Sequence, residues 1–190
     1  RSFFSSFTLA DISVESAQRA IDELDDPGRF RAASIDARNE ADIVALIAET
    51  NADIVVNACD PRLNEPIFNA CFTAGTNYLD MAMNLSHPHP TDPYNQVGDI
   101  LGKEQLAAHD AWVDKGLLAL VGMGVEPGMS DIFAKYASEH LFSRIDSCTI
   151  LDGSNLRVEG YDFAPSFSIW TTIEECLNPP LVWEDGRGWY

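Results

Sequence analysis

Ile54-Val55-Val56-Asn57-Ala58-Cys59-Asp60-Pro61 decides how this chain folds. Three consecutive β-branched apolar side chains suit a strand covered on both faces, as strands are in a parallel sheet under helices. The run then gives way to Asn57, two small residues, Asp60 and Pro61, so the chain leaves the sheet through a short polar segment. Helical periodicity follows from about Asn64 to Ala74, with Pro66 tolerated in the first turn and Gly75 as the stop. Strand, polar exit and helix together form the repeating unit of an α/β fold.

The same unit recurs on both sides. Upstream, Phe7 to Ala10 is an apolar run that stops at Asp11, and Ser13 caps a helix with Ala17, Ala20, Ile21 and Leu24 on one stripe. Asp25-Asp26-Pro27-Gly28 breaks that helix. Phe30 to Ile35 reads as a strand ending at Asp36, and Asn39 caps a helix striped by Ile43, Val44, Ile47 and Ala48. Downstream, Asn77 to Leu79 is a strand ending at Asp80, and the proline-bearing stretch from Asn84 to Gly98 is a loop. Ile100 to Lys115 is predicted helical, Leu117 to Val121 a strand, Ser130 to Leu141 a helix and Ile145 to Leu151 a strand. Beyond Gly153 aromatic residues crowd in and helical periodicity is lost. The expected architecture is a Rossmann-like, doubly wound parallel sheet over residues 1–127, followed by part of a second α+β domain over residues 128–190.

Composition narrows the function. Thirty acidic residues against twelve basic ones give a formal charge of −18, and only three of the basic residues are lysines. Such a chain repels phosphate backbones and anionic surfaces, so neither nucleic acid nor a membrane is an expected partner. No apolar run approaches the roughly 18 residues of a membrane span. The four cysteines lie far apart without CxxC pairing, which fits reduced thiols in a cytoplasmic protein.

In an open α/β sheet, ligands bind beyond the carboxyl ends of the strands, because strand interiors must stay apolar. Asp11 is the sharpest such residue. A carboxylate there can accept hydrogen bonds from the adenosine ribose hydroxyls of a dinucleotide, and Ile12-Ser13, rather than an arginine, follow it. NAD is therefore expected, with NADP left open; the plainer reading of Asp11 is a residue that starts the next helix. Asp36 either flanks an adenine or closes a turn. Asn57, Ala58, Cys59, Asp60 and Pro61 form an exit of little bulk where a cofactor could approach the backbone. Gly122 opens a segment with three glycines and Pro127, in which the third glycine of G-x-G-x-x-G is absent. This segment is either an anion-binding helix start or a tight strand-to-helix connection. His87 and His89 form an HxH pair without a third ligand at convincing spacing, so no metal is expected, and His87 is a candidate proton carrier.

Three segments, taken in order, resemble the saccharopine dehydrogenase family. They are Val56 to Pro61 with its helix to Gly75, Tyr78-Leu79-Asp80-Met81-Ala82, and Gly122 to Ser130. Asp60 and Glu126 stand where the family pattern has proline and aspartate, and Phe163, Phe167 and Trp170 resemble the entry to its second domain. The resemblance implies a homodimeric oxidoreductase that moves a hydride between a nicotinamide cofactor and the C–N bond of a small amino-acid or imine substrate. Asp80 or Glu126 would then hold the substrate's cationic amine. Members of that family begin with a strand and a glycine-rich turn, and neither is present here. The strand ending at Asp11 therefore corresponds to the family's second, and the chain is expected to be a piece of a longer protein. The rival reading is a non-catalytic Rossmann-like binding or assembly module.

Overall fold

The computed structural model describes residues 3–25, 27–151, 153, 155, 157–162, 164 and 168–190. Asp26, Phe163 and Phe167, used above, lie outside them. The chain divides into two compact units: Arg1–Asn84 with Glu104–Gly128, and Leu85–Lys103 with Met129–Tyr190. The loop 85–103, expected inside the first domain, groups with the second unit instead.

The first unit is built from β1 (Phe7–Asp11), α1 (Val14–Asp22), β2 (Phe30–Ser34), α2 (Glu40–Thr50), β3 (Ile54–Asn57), α3 (Asn64–Ala74), β4 (Asn77–Asp80), α4 (Lys103–Ala107), α5 (His109–Asp114) and β5 (Ala119–Leu120). The predicted helix starts form for the predicted reason. The Ser13 hydroxyl accepts the Ser16 N–H, and the Asn39 carbonyl oxygen accepts the N–H groups of Ala41 and Asp42. Gly75 closes α3 in the left-handed conformation at φ 76°. The predicted helix over 100–115 divides at Ala108 into α4 and α5.

All ladders in this unit are parallel, in two pieces: β1 with β2, and β3-β4-β5 in that order. Among the described residues, β1 and β3 each have one unpaired edge. Val56 on β3 is 58% exposed, where the sequence suggested a strand covered on both faces. Helices join the two pieces: α2 packs on α3, and Ile43 and Ile47 of α2 share one buried cluster with Ile67, Phe68, Ala70 and Cys71 of α3, Tyr78 of β4 and Trp112 of α5. The Phe68 ring sits 4.7 Å from Trp112 and edge-on to Tyr78 at 5.2 Å.

The second unit contains α6 (Met129–Tyr136), continued by a π-helical turn over Ala137–Leu141, then α7 (Ile169–Leu177) and a hairpin of β6 (Trp183–Glu184) and β7 (Gly188–Trp189). Two expectations are corrected here. Residues 145–151 form no strand, because no described strand offers them a ladder. The aromatic-rich tail also contains a helix after all: Ile169, Ile173 and Leu177 recur every four residues in α7. No described helix is long and apolar enough to cross a membrane.

Because Phe68 touches two aromatic partners inside the cluster that ties the sheet pieces together, Phe68→Ala should lower unfolding stability by about 3–5 kcal/mol. Urea denaturation measures it; a loss below about 1 kcal/mol would mean the cluster is not the core.

Candidate functional site

The polar exits of β3, β4 and β5 converge on one buried carboxylate. Asp80 ends β4 with 1% exposure, and its oxygens meet three donors. Oδ1 accepts the Gly122 N–H at 2.6 Å, and Oδ2 accepts the Tyr78 hydroxyl at 2.9 Å and the Gln105 amide at 2.7 Å. Tyr78 stands two residues before Asp80 on the same face of β4, where strand geometry brings their side chains together. Burial, above all, pushes the Tyr78 phenol far above its ordinary range, so it stays protonated and donates.

Beyond Tyr78 the network continues. The Asn57 amide donates to the Tyr78 oxygen at 3.1 Å and to the Asn64 carbonyl oxygen at 2.7 Å, and its own carbonyl oxygen accepts the Cys59 N–H at 3.0 Å. Asn64 in turn donates to the Ala82 carbonyl, and Gln105 accepts the Asn84 N–H. The exits of β3, β4 and β5 and the start of α3 are thus held by one satisfied set of buried polar groups.

This geometry assigns several candidates different places from those expected. Asp80 faces inward, spent on the protein's own donors. The Gly122 segment turns tightly, and its first three N–H groups are bonded within the protein. The N–H groups of Gly122, Met123 and Gly124 donate to Asp80 Oδ1, the Asp80 carbonyl and the Pro127 carbonyl. Its glycines are required by space: a Cβ on Gly124 would lie 2.3 Å from the Met81 carbonyl oxygen, and one on Gly128, at φ 127°, 2.5 Å from the carbonyl oxygens of Gly122 and Gly124. Glu126 is exposed on this loop.

Asp11, Asp36 and the Cys59-Asp60-Pro61 segment form a second group at the other exits. Asp11 is exposed, and its Oδ1 accepts the Ser13 N–H at 2.9 Å. The Ile35 N–H donates to the Asp11 carbonyl at 2.9 Å, which sets Asp36 beside it. Asp11 and Asp60 both lie near enough to Cys59 for their charges to add to the desolvation that raises its thiol pKa. Cys59 is therefore exposed yet a poor nucleophile. Ala58 is exposed beside it, and Pro61 starts a 3-10 turn capped by Asp60.

Two residues of this group escaped the sequence reading. In Asp36-Ala37-Arg38 and again in Asp60-Pro61-Arg62, the aspartate takes both the backbone N–H and the guanidinium of the arginine two residues on. The Nη2–Oδ2 distances are 2.7 and 2.8 Å. Each clip holds its carboxyl well below the usual range, at about 2. The signal was available as the same D-x-R triplet after two successive strands.

His87 belongs to the second unit. It pairs backbone to backbone with Asp99 and, with His89, Arg187 and Tyr190, lines a cavity of about 390 Å³. Among the described residues, no three His, Cys, Asp or Glu side chains gather as a metal site.

With this geometry in view, a family model described as the saccharopine dehydrogenase NADP-binding domain matches residues 1–120, well over half of the chain. The chain belongs to the saccharopine dehydrogenase family. It is 30% identical over 174 residues to a carboxynorspermidine synthase of Vibrio alginolyticus, covering 92% of this chain and 41% of that protein. It is 31% identical over 183 residues to a carboxyaminopropylagmatine dehydrogenase of Synechocystis, covering 96% and 44%. Among solved structures, the apo saccharopine dehydrogenase (L-Glu forming) of Saccharomyces cerevisiae is similar in fold, with a TM-score of 0.51 and 16% identity over 70% of this chain and 25% of that one. This family member thus spans less than half the length of the curated relatives it matches. The family's NADP-binding domain model covers residues 1–120, which supports an NAD(P) cofactor class.

Two outcomes follow from the geometry. An Asp80→Asn amide cannot accept from all three donors, so at least one buried N–H or O–H faces another donor. Unfolding stability should fall by about 2–3 kcal/mol, and Tyr78→Phe should cost about 1–2 kcal/mol, with less than additive loss in the double variant. In a carboxyl NMR titration, Asp36 should have its midpoint near about 2, and Arg38→Ala should return it toward 3.8. Because the clip is exposed and closes within three residues, this lowered carboxyl adds little to folding stability; what it adds is present above its ordinary 3.8 and disappears as pH falls through about 2.

Proposed function

We propose that this chain is the cofactor-binding part of an NAD(P)-dependent oxidoreductase that transfers a hydride at the C–N bond of an amine bearing a carboxyl group. The observation that carries the reading is the row of polar strand exits at the carboxyl ends of β1, β2 and β3 in a chain of this family. That is where an open parallel sheet receives a dinucleotide. The printed names of the relatives, carboxynorspermidine synthase and carboxyaminopropylagmatine dehydrogenase, support an amine that carries a carboxyl group as substrate or product.

The donor set fits the ribose end of the cofactor. Asp11 is exposed at a strand exit, with Oδ1 bonded within its own turn. Ala58 and Cys59 leave the β3 exit without bulk. The N–H groups of Gly122, Met123 and Gly124 are already bonded within the protein, so these three do not serve a diphosphate. When bound, the nicotinamide supplies the hydride acceptor or donor.

The protein's part is placement. Asp80 acts as a positioning residue that fixes the β3, β4 and β5 exits. Glu126, exposed on the Gly122 loop, is the carboxylate proposed to hold the substrate's ammonium group. His87 remains the proposed proton carrier. A cytoplasmic homodimer completes the proposal; the exposed apolar side chains of α6, Ile132, Phe133 and Tyr136, support an interface.

Fluorescence titration with NADH and NADPH is the test. At least one should bind at micromolar to low millimolar concentration. Oxidised cofactor should also be reduced in the presence of a carboxylated amine. Failure of both nucleotides to bind at millimolar concentration would end the reading.

A further inference from the structure

The second unit holds a cavity that the dinucleotide reading leaves unused apart from His87. It lies between the proline-rich loop over 86–98 and the chain from Asn178 to Tyr190, encloses about 390 Å³ and draws every lining residue from this unit. That volume suits a small molecule, whose pockets run from roughly 300 to 1,000 Å³.

The walls are fixed from both sides. His87 and Asp99 exchange backbone hydrogen bonds at 3.0 and 2.8 Å, which closes the loop on itself. Gly98 permits the closure, because a Cβ there would collide with the His87 carbonyl oxygen. Opposite, Val182 and Tyr190 exchange backbone hydrogen bonds at 3.0 and 2.8 Å and close the hairpin that carries Arg187.

The lining has one sign. Acidic residues outnumber basic ones thirty to twelve in this chain, yet among the described residues no Asp or Glu lines the cavity, and Arg187 does. Its guanidinium carbon sits 3.2 Å from the centre of the Tyr190 ring, which braces the cation. Glu184 Oε2 lies 3.6 Å from Nη1, beyond hydrogen-bond length, and spends none of its N–H groups. His89 adds a donor: its Nδ1 accepts the Asp92 N–H at 3.2 Å, so the neutral ring carries its proton on Nε2. The loop's own carboxylates are tied off, Asp92 by the Asn95 amide and Asp99 by Lys103. Pro93, Tyr94, Pro180 and Leu181 supply apolar wall.

An arginine fork and a histidine N–H within apolar walls match a carboxylate on a short apolar body. An ammonium group would meet no counter-charge in this lining. We propose that the cavity binds the carboxylate end of a small organic acid, with Arg187 pairing the carboxylate and His89 Nε2 donating to it. The inference goes beyond the dinucleotide reading and does not require it, because no residue of the first unit takes part. Two sources offer such a group: the reacting amine's own carboxyl, which rests on the proposed function, or a separate acid.

NMR titration of the full chain at fixed ionic strength tests it, with butyrate, butyramide and butylammonium as probes of similar size. Butyrate should bind saturably at millimolar concentration and shift the amide signals of the loop and hairpin. Butyramide should bind at least about tenfold more weakly, and butylammonium not at all. Arg187→Gln should weaken butyrate by about tenfold or more, the scale of a lost charge-assisted pair. His89→Asn keeps an acceptor for the Asp92 N–H but loses the Nε2 donor, and should weaken butyrate by about threefold or more. Lys135→Gln on α6, outside the cavity, removes the same charge as Arg187→Gln and should leave butyrate binding unchanged. Where a variant melts early, the three probes on the unaltered chain still decide. No saturable shift with butyrate, butyramide bound as tightly, or equal weakening by Arg187→Gln and Lys135→Gln overturns the proposal. In the NADH-dependent assay, butyrate competing with the carboxylated amine assigns the cavity to the substrate's carboxyl group, and butyrate bound without competition assigns it to a separate acid. Loss of butyrate binding leaves NADH binding untouched, so this proposal and the oxidoreductase reading fail separately.

Discussion

A carboxylate at the end of β4, almost wholly removed from water, is the constraint on which the rest of the first unit depends. Leaving such a group without donors costs several kcal/mol, so the fold has to bring donors to it. They come from three different places: Tyr78 on its own strand, Gln105 on α4 and the main chain of Gly122 after β5. Each contact fixes a segment that would otherwise be an independent loop. Through Tyr78 and Asn57 the constraint reaches the β3 exit, whose first turn is folded by the Asn57 side chain. The shape of the β3, β4 and β5 exits therefore follows from a carboxylate that is turned inward.

The rim itself divides the work differently. At the β4 and β5 exits, polar groups are buried and consumed by one another. At the β1, β2 and β3 exits, carboxylates are exposed or half-buried and either bond within their own turn, as Asp11 does, or are clipped to an arginine. The first arrangement gives rigidity, and the second gives a pattern of charge. Membership of the saccharopine dehydrogenase family fixes the general purpose of the sheet.

Much of this fold was legible because its signals are local. Ser13 and Asn39 cap helices with their own side chains, and Gly75 takes the left-handed turn that ends α3. Alternation of apolar runs with amphipathic helices was enough to read the parallel sheet. The failures occurred where the deciding partner is distant. A strand over 145–151 has good propensity, but propensity is weak without a ladder to join. Aspartate at a strand end looks the same whether it faces a substrate or is turned inward. The resemblance offers Asp80 or Glu126 as the holder of the substrate's amine, and nothing local shows that Asp80 turns inward, because Gln105 and Gly122, which capture it, lie 25 and 42 residues further along.

The two Asp-x-Arg clips have a further consequence for how the rim comes into being. Each closes within three consecutive residues, so it needs no sheet or helix to exist and can form in a chain that has not yet folded. Interactions already present before folding contribute little to the difference between folded and unfolded states. The clips therefore act on orientation more than on stability: the arginines arrive at the sheet edge already paired. Substitutions there should alter the electrostatic face of the protein while leaving its melting behaviour nearly unchanged, which makes these two positions places where recognition can drift in evolution without endangering the fold.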